Sequence, residues 1–228
     1  MTELKECSIE TQLAIMLDLQ NEINTKIDPT WETRGQPWYR AIWIEAGEMM
    51  DHIGYKWWKH QSIDIAQVQL EVVDIWHFAL SIYCEKGISA HQLVPIFKSN
   101  LLDAPEITCQ EIMSDTCEDF VISVLNASTL QASFPLEEFI NLMSVTGMNM
   151  DTLYRQYVGK NVLNAFRQDH GYKDGTYIKD WHGEEDNVVL SRLAAGLGIA
   201  GSEFPTMLRD ALEMAYAYAH VIAEQPSL

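Results

Sequence analysis

The sequence predicts an all-α protein. Apolar residues recur at three- and four-residue spacing through most of the chain, the period of helices that keep one face in a core. Alternating Val/Ile/Thr-rich runs closed by Asn-Gly turns, which would signal hairpins, are scarce. A chain of 228 residues, 47% hydrophobic and 21% charged, has the composition of an ordinary globular protein and the length to close a sizeable core.

Each helix carries local start and stop signals. Ser8 is an N-cap for a first helix running to about Lys26, stopped by Asp28-Pro29. Pro37 suits the first turn of a second helix that continues towards Trp58. A third runs from about Asp64 to Lys86 and ends at Gly87, and Ser89 then caps a fourth reaching about Leu102. Later helices are expected near 106–127, 136–147, 150–168, 187–197 and 205–223. With no internal repeat and no low-complexity linker, residues 1–228 are expected to form a single domain.

Thirty-three acids against fifteen bases give a formal charge of -18. Such a surface does not coat a nucleic-acid backbone or an anionic membrane, so neither is expected as a partner. The longest uncharged stretch, Phe120 to Leu136, is broken by Asn126, Ser128, Thr129, Gln131, Ser133 and Pro135. It falls short of the roughly 20 apolar residues that span a bilayer. Cys7, Cys84, Cys109 and Cys117 fit neither a CxxC pair nor a zinc spacing, and MTELKECSIE lacks the apolar core of a signal peptide. A cytoplasmic protein with reduced thiols is expected.

The charge is unevenly spread. Residues 99–154 hold nine acids and no Lys or Arg, whereas 155–179 hold Arg155, Lys160, Arg167, Lys173 and Lys179, 5 of the 15 basic residues. After Arg167 comes QDHGYKDGTYIKDWHGEEDN, rich in Gly, Asp, Lys and aromatics and too irregular for a helix. A segment of this kind reads as a functional loop.

Carboxylates occupy positions where core residues belong. Glu45 and Glu48 lie on one face of the second helix, in a row with Ala41 and His52. Glu71 and Asp74 repeat the device within QVQLEVVDIWHFALSIY, a helix apolar enough on all sides to be buried. Buried carboxylates cost several kcal/mol unless a cation or hydrogen bonds satisfy them. Two such pairs on neighbouring helices ask for a metal, and an all-oxygen, strongly anionic donor set suits Mg²⁺, with Mn²⁺ as a substitute. A di-iron centre would want Glu-x-x-His on two helices; the chain offers only Asp74-x-x-His77. Metal ions beside a basic helix and loop point to hydrolysis of a nucleoside polyphosphate, and no GxxxxGK[ST] sequence supplies a P-loop.

Polar residues also interrupt an apolar stripe on the first helix, where Gln20 and Asn24 continue the row of Leu13 and Leu17. A primary amide offers a donor and an acceptor together, matching the O4 and N3–H of uracil. The competing reading is that the helix ends there and both amides are wet. In YKWWKH, one of Trp57 and Trp58 is expected to stack on a base and the other to be core. Lys160, Asn164 and Arg167 follow i, i+4, i+7 spacing, so one helical face presents an amide flanked by two cations, or simply an exposed basic face.

Together LQNEIN, IEAGE, YKWWKH, EVVDIWH and KNVLNAFRQDHGYKDGTYIKDWHGEEDN closely resemble the dimeric all-α dUTPases, a branch of the all-α NTP pyrophosphohydrolase superfamily. The resemblance covers roughly residues 10–190. It implies a homodimeric, helical enzyme that hydrolyses dUTP, and also dUDP, to dUMP, with attack at the β-phosphorus. It implies that Glu45, Glu48, Glu71 and Asp74 bind Mg²⁺ and that Glu45 activates the water. Gln20, Asn24 and Asn164 would contact uracil, Trp57 would pack on the base, and Asp74 and His77 would sit near the deoxyribose. Lys160, Arg167, Tyr172, Lys179 and Asn187 would close on the phosphates, giving a rigid metal- and base-binding part and a mobile phosphate-closing part. His77 equally suits a core histidine bonded across helices. The rival readings are a MazG-like pyrophosphohydrolase for another nucleotide such as dCTP, a di-iron carboxylate oxidoreductase, and a catalytically silent binding protein.

Overall fold

Nine α-helices carry the chain among the residues that this computed structural model describes, namely 7–102, 105–130, 133–198 and 201–223. They are α1 (Ile9–Ile27), α2 (Trp38–Ile53), α3 (Ile65–Glu85), α4 (Ala90–Asn100), α5 (Gln110–Leu130), α6 (Leu136–Val145), α7 (Met150–Asp169), α8 (Asp186–Leu197) and α9 (Phe204–Ala223). The fold is all-α, as the apolar spacing predicts, with one small hairpin. None of the described helices is long and apolar enough to cross a membrane.

The chain divides into two compact units, Ile9–Gln156 and Met1–Ser8 with Tyr157–Leu228; α7 runs through the division. In the first unit α3 is the central element. It packs along α2 in the most extensive helix pair described, and also meets α1 and α6. Asp64 caps it by accepting from the Gln67 N–H at 3.2 Å. Val68, Val72, Ile75, Trp76, Ala79 and Leu80 are fully buried, so the helix is enclosed as its sequence implies. Trp76 stacks on Phe139 at 5.0 Å and meets Phe97 edge-on at 5.7 Å. Each such side chain contributes about 1.5–3 kcal/mol by leaving water. This packing anchors the helices that carry the carboxylates, α2 and α3, in the core.

The second helix departs from expectation. It stops at Ile53 instead of reaching Trp58, because Gly54 adopts φ 83°, a left-handed conformation that suits glycine at a helix end. YKWWKH therefore lies in a connection, not on a helix.

In the second unit Phe166, Tyr177 and Trp181 surround Tyr216, with Tyr177 stacked on it at 5.6 Å and Trp181 tilted against it at 5.1 Å. The irregular segment after α7 contains β1 (Asp180–Trp181) paired antiparallel with β2 (Glu184–Glu185), a hairpin the sequence does not announce. Its two turn residues, His182 and Gly183, have φ 61° and 84°. The Gly183 N–H donates to Asp180 Oδ1 at 2.6 Å. A histidine where Asn or Asp is usual hides the turn from a search for Asn-Gly.

Candidate active site

Glu45 on α2 and Glu71 and Asp74 on α3 converge in the first unit. One carboxylate oxygen from each can be chosen so that all three lie within 4.8 Å of one another. Glu71 is 6% exposed, and the other two are half-buried. Val72, Val73 and Ile75, which flank Glu71 and Asp74 on α3, are fully buried and anchor this part of the helix in the core. Burial, then the charges of Asp74 and Glu71 and a hydrogen bond with Glu71, push the Glu45 carboxyl up to about 7. Crowded like charges in a half-dry place fit a hard divalent cation, which three converging oxygens can ligate. His52 Nε2 stands 3.5 Å from Glu71 Oε1.

Glu48 shares the row but not the burial. Three residues advance a helix by about 300°, leaving Glu48 some 60° around from Glu45. It is exposed, and lines an open groove of about 590 Å³ with Trp43, Ile44, Asp51, His52, Tyr55 and Lys56. Of the two pairs expected to be buried, Glu71 is buried, Glu45 and Asp74 are half-buried, and Glu48 lies at the rim.

A polar cluster occupies the interface of α1 and α3. Gln20 and Asn24 are buried, so the reading of wet amides at a fraying helix end is overturned. Gln20 Nε2 donates to Asn24 Oδ1 at 3.0 Å and to Ser81 Oγ at 3.1 Å, and Asn24 Nδ2 donates to Ser81 Oγ at 2.9 Å. His77 Nδ1 lies 2.9 Å from Gln20 Oε1. His77 does bond across helices, and to one of the three amides expected to read the base. Ser81 was missed by sequence reasoning, because a lone serine within an apolar helix gives no signal.

Trp57 and Trp58 are 90% and 60% exposed, so neither is a core residue. They meet edge-on at 5.7 Å, and Trp58 meets Tyr55 in the same way at 6.0 Å. The expected division into one stacking and one core ring depended on a helix continuing past Gly54.

In the second unit Arg167 is the organising residue. Its Nε and Nη2 donate to Asp186 Oδ2 and Oδ1 at 2.8 and 2.7 Å, a bidentate pair in which Asp186 is 1% exposed. The Tyr177 hydroxyl donates to Asp186 Oδ2 at 2.7 Å. Burial by itself raises the Asp186 carboxyl, but the bonds from Arg167 and Tyr177 outweigh it and hold the group below its ordinary value. Arg167 also reaches Asn187 Oδ1 at 3.3 Å and Asn164 Oδ1 at 3.5 Å. Three expected site residues, Asn164, Arg167 and Asn187, are brought together, and the Arg167 side chain is only 15% exposed, which removes the plain exposed-basic-face reading for it. Lys160 is half-buried further along α7. Tyr172 and Lys179 form a second group, with Lys179 Nζ 5.5 Å from the centre of the Tyr172 ring. A Cβ on Gly171 would collide with Thr176 Oγ1, and its φ is 85°, so the tight loop before Tyr172 requires glycine. Asp186 and Tyr177 were not among the expected residues, although both lie in the irregular segment that was singled out.

A family model described as dUTPase matches residues 12–172. The chain belongs to the dUTPase family. It is a dUTP diphosphatase, which hydrolyses dUTP to dUMP. No curated protein matches the chain. The matched span of the dUTPase includes the carboxylates, the amide cluster of α1 and α3, and Lys160, Asn164, Arg167 and Tyr172; Lys179 and Asn187 lie beyond it. Among the described residues, Glu45, Glu71 and Asp74 form the group that could hold a metal ion.

Proposed function

We propose that the hydrolysis of dUTP depends on Mg²⁺, that dUDP is also a substrate, and that Mn²⁺ substitutes. The observation that carries the reading is the convergence of Glu45, Glu71 and Asp74 oxygens within 4.8 Å. Glu48, one turn along α2, completes the set of four carboxylates. A bound divalent cation supplies charge neutralisation at the phosphoryl oxygens and a water of lowered pKa. Glu45 takes the proton of the attacking water and orients it towards the β-phosphorus. Its carboxyl is raised by burial and by its acidic neighbours.

Gln20, Asn24 and Asn164 are assigned to uracil, Trp57 to stacking on the base, and Asp74 and His77 to the deoxyribose. Lys160, Arg167, Tyr172, Lys179 and Asn187 are assigned to the phosphate tail. Arg167 supports this assignment best, because a guanidinium fixed by Asp186 at Nε and Nη2 is pre-oriented and loses little rotamer freedom on meeting an anion. We further propose that residues 1–228 act as one functional domain, that the enzyme is a homodimer, and that it works in the cytoplasm, where the four free thiols stay reduced.

The test is turnover of dUTP, dUDP, dCTP and dTTP with Mg²⁺, and again after EDTA. The expected result is release of dUMP from both uridine nucleotides, little turnover of the others, and loss of activity with chelator that Mg²⁺ or Mn²⁺ restores. Undiminished activity in EDTA would remove the metal from the proposal, and equal turnover of dCTP would move the specificity to another nucleotide.

A further inference from the structure

The Ser81 hydroxyl is fully buried and stands at the centre of the amide cluster. Its oxygen lies 3.1 Å from the His77 carbonyl, 3.1 Å from Gln20 Nε2 and 2.9 Å from Asn24 Nδ2. A hydroxyl has one hydrogen and two lone pairs. Here the hydrogen goes to the His77 carbonyl one turn earlier, an ordinary habit of serine in a helix. What is not ordinary is the use of both lone pairs by side-chain amides of another helix. With its proton committed, Ser81 acts towards α1 only as an acceptor.

That constraint settles which way round each neighbouring group sits. Both amides must turn their nitrogens to Ser81, so Asn24 Oδ1 faces Gln20 Nε2 and Gln20 Oε1 faces His77 Nδ1. Opposite a carbonyl oxygen, Nδ1 carries the hydrogen, and neutral His77 then holds its lone pair at Nε2. One hydroxyl thus fixes two amide orientations and one imidazole tautomer.

We propose that Ser81 is a positioning residue for base selectivity, locking Gln20, Asn24 and His77 in the donor and acceptor polarity that accepts uracil and rejects cytosine. The inference rests on the assignment of Gln20 and Asn24 to the base. Uracil and cytosine differ at the edge in question by inversion of hydrogen-bond polarity: O4 and N3–H in one, N4–H₂ and N3 in the other. An amide free to flip can serve either base with its two ends exchanged. An amide held one way round leaves a buried polar group unmatched against the wrong base, and such mismatches discriminate strongly.

The experiment compares Ser81→Ala and Ser81→Cys with wild type, alongside Gln20→Ala and Asn24→Ala. Cysteine keeps nearly the same volume with a weak acceptor, so the comparison stands if the alanine variant does not fold, as monitored by circular dichroism. The measurements are kcat and KM for dUTP and dCTP with Mg²⁺, and calorimetric binding of dUMP and dCMP. The expected result is a fall of roughly tenfold or more in the dUTP/dCTP ratio of kcat/KM, carried mainly by KM, with dUMP binding weakened relative to dCMP. A Ser81 variant that loses both nucleotides equally, or keeps the wild-type ratio, while Gln20→Ala and Asn24→Ala lower it, overturns the role of Ser81 and leaves the base site intact. An unchanged ratio in the two amide variants overturns the base assignment and the inference with it.

Discussion

Each unit of the protein buries carboxylate, and the two solve the problem in opposite ways. Asp186 meets a bidentate guanidinium and a phenol, and its carboxyl is held below the ordinary range. Glu45 meets Glu71 and Asp74, and its carboxyl is pushed up to about 7. A buried acid answered by a cation of its own chain is a fastening, and it can hold a ligand-facing group in place. An acid crowded by further acids can hold a divalent cation, and that is the role the proposed function gives it. The same residue type therefore carries structure in one unit and, on the proposed function, chemistry in the other, and the surroundings decide which.

The sharpest way to break this comparison is to neutralise one carboxylate of each kind. Glu45→Gln is expected to lower kcat by about 10²–10⁴-fold while leaving the fold intact, since it removes charge from a crowded cluster at almost no change in volume. Steady-state kinetics with thermal unfolding checks both halves; a near-wild-type kcat would take Glu45 out of the mechanism. Asp186→Ala is expected to do the reverse in emphasis, costing about 3–5 kcal/mol of stability because it leaves the largely enclosed Arg167 guanidinium without its partner. Urea unfolding measures it, and a loss below 1 kcal/mol would make the pair dispensable.

A pH series sharpens the same point. The folded-state pKa of Asp186 lies below its ordinary value of 3.8. The native state therefore holds fewer protons on this group than the unfolded chain does. Its contribution is present above about pH 4 and is lost as pH falls through the folded value. Asp186→Asn should flatten the acid limb of stability against pH; an unchanged acid limb would assign acid unfolding to other groups. The smallest effect is expected at Asn164, which accepts a long bond from Arg167 at 3.5 Å. Asn164→Ala should reduce the preference for dUTP over dCTP several-fold while leaving the Mg²⁺ concentration for half-maximal rate unchanged. Equal loss for every nucleotide would remove its base contact.

Helical periodicity made most elements legible, and it also made Glu45, Glu71 and Asp74 legible, because carboxylates within an apolar helix stand out without any knowledge of the fold. Glu48 was read as their equal from the same spacing, yet a rotation of about 60° about the helix axis places it at an exposed rim. The end of α2 was misplaced by a short distance in sequence but with large consequence. Gly54 turns the chain, and Trp57 and Trp58 go to the surface instead of continuing a helical face.

The sequence by itself determined the helical class, the acidic set and the amides of α1, since periodicity and the cost of burying polar groups act locally along the chain. Only the tertiary structure decided their partners. Ser81 lies 57 residues from Asn24, and Asp186 lies 19 from Arg167 across a loop. A hydrogen bond depends on distance and direction in space, and neither is encoded in the spacing of residues beyond a few helical turns.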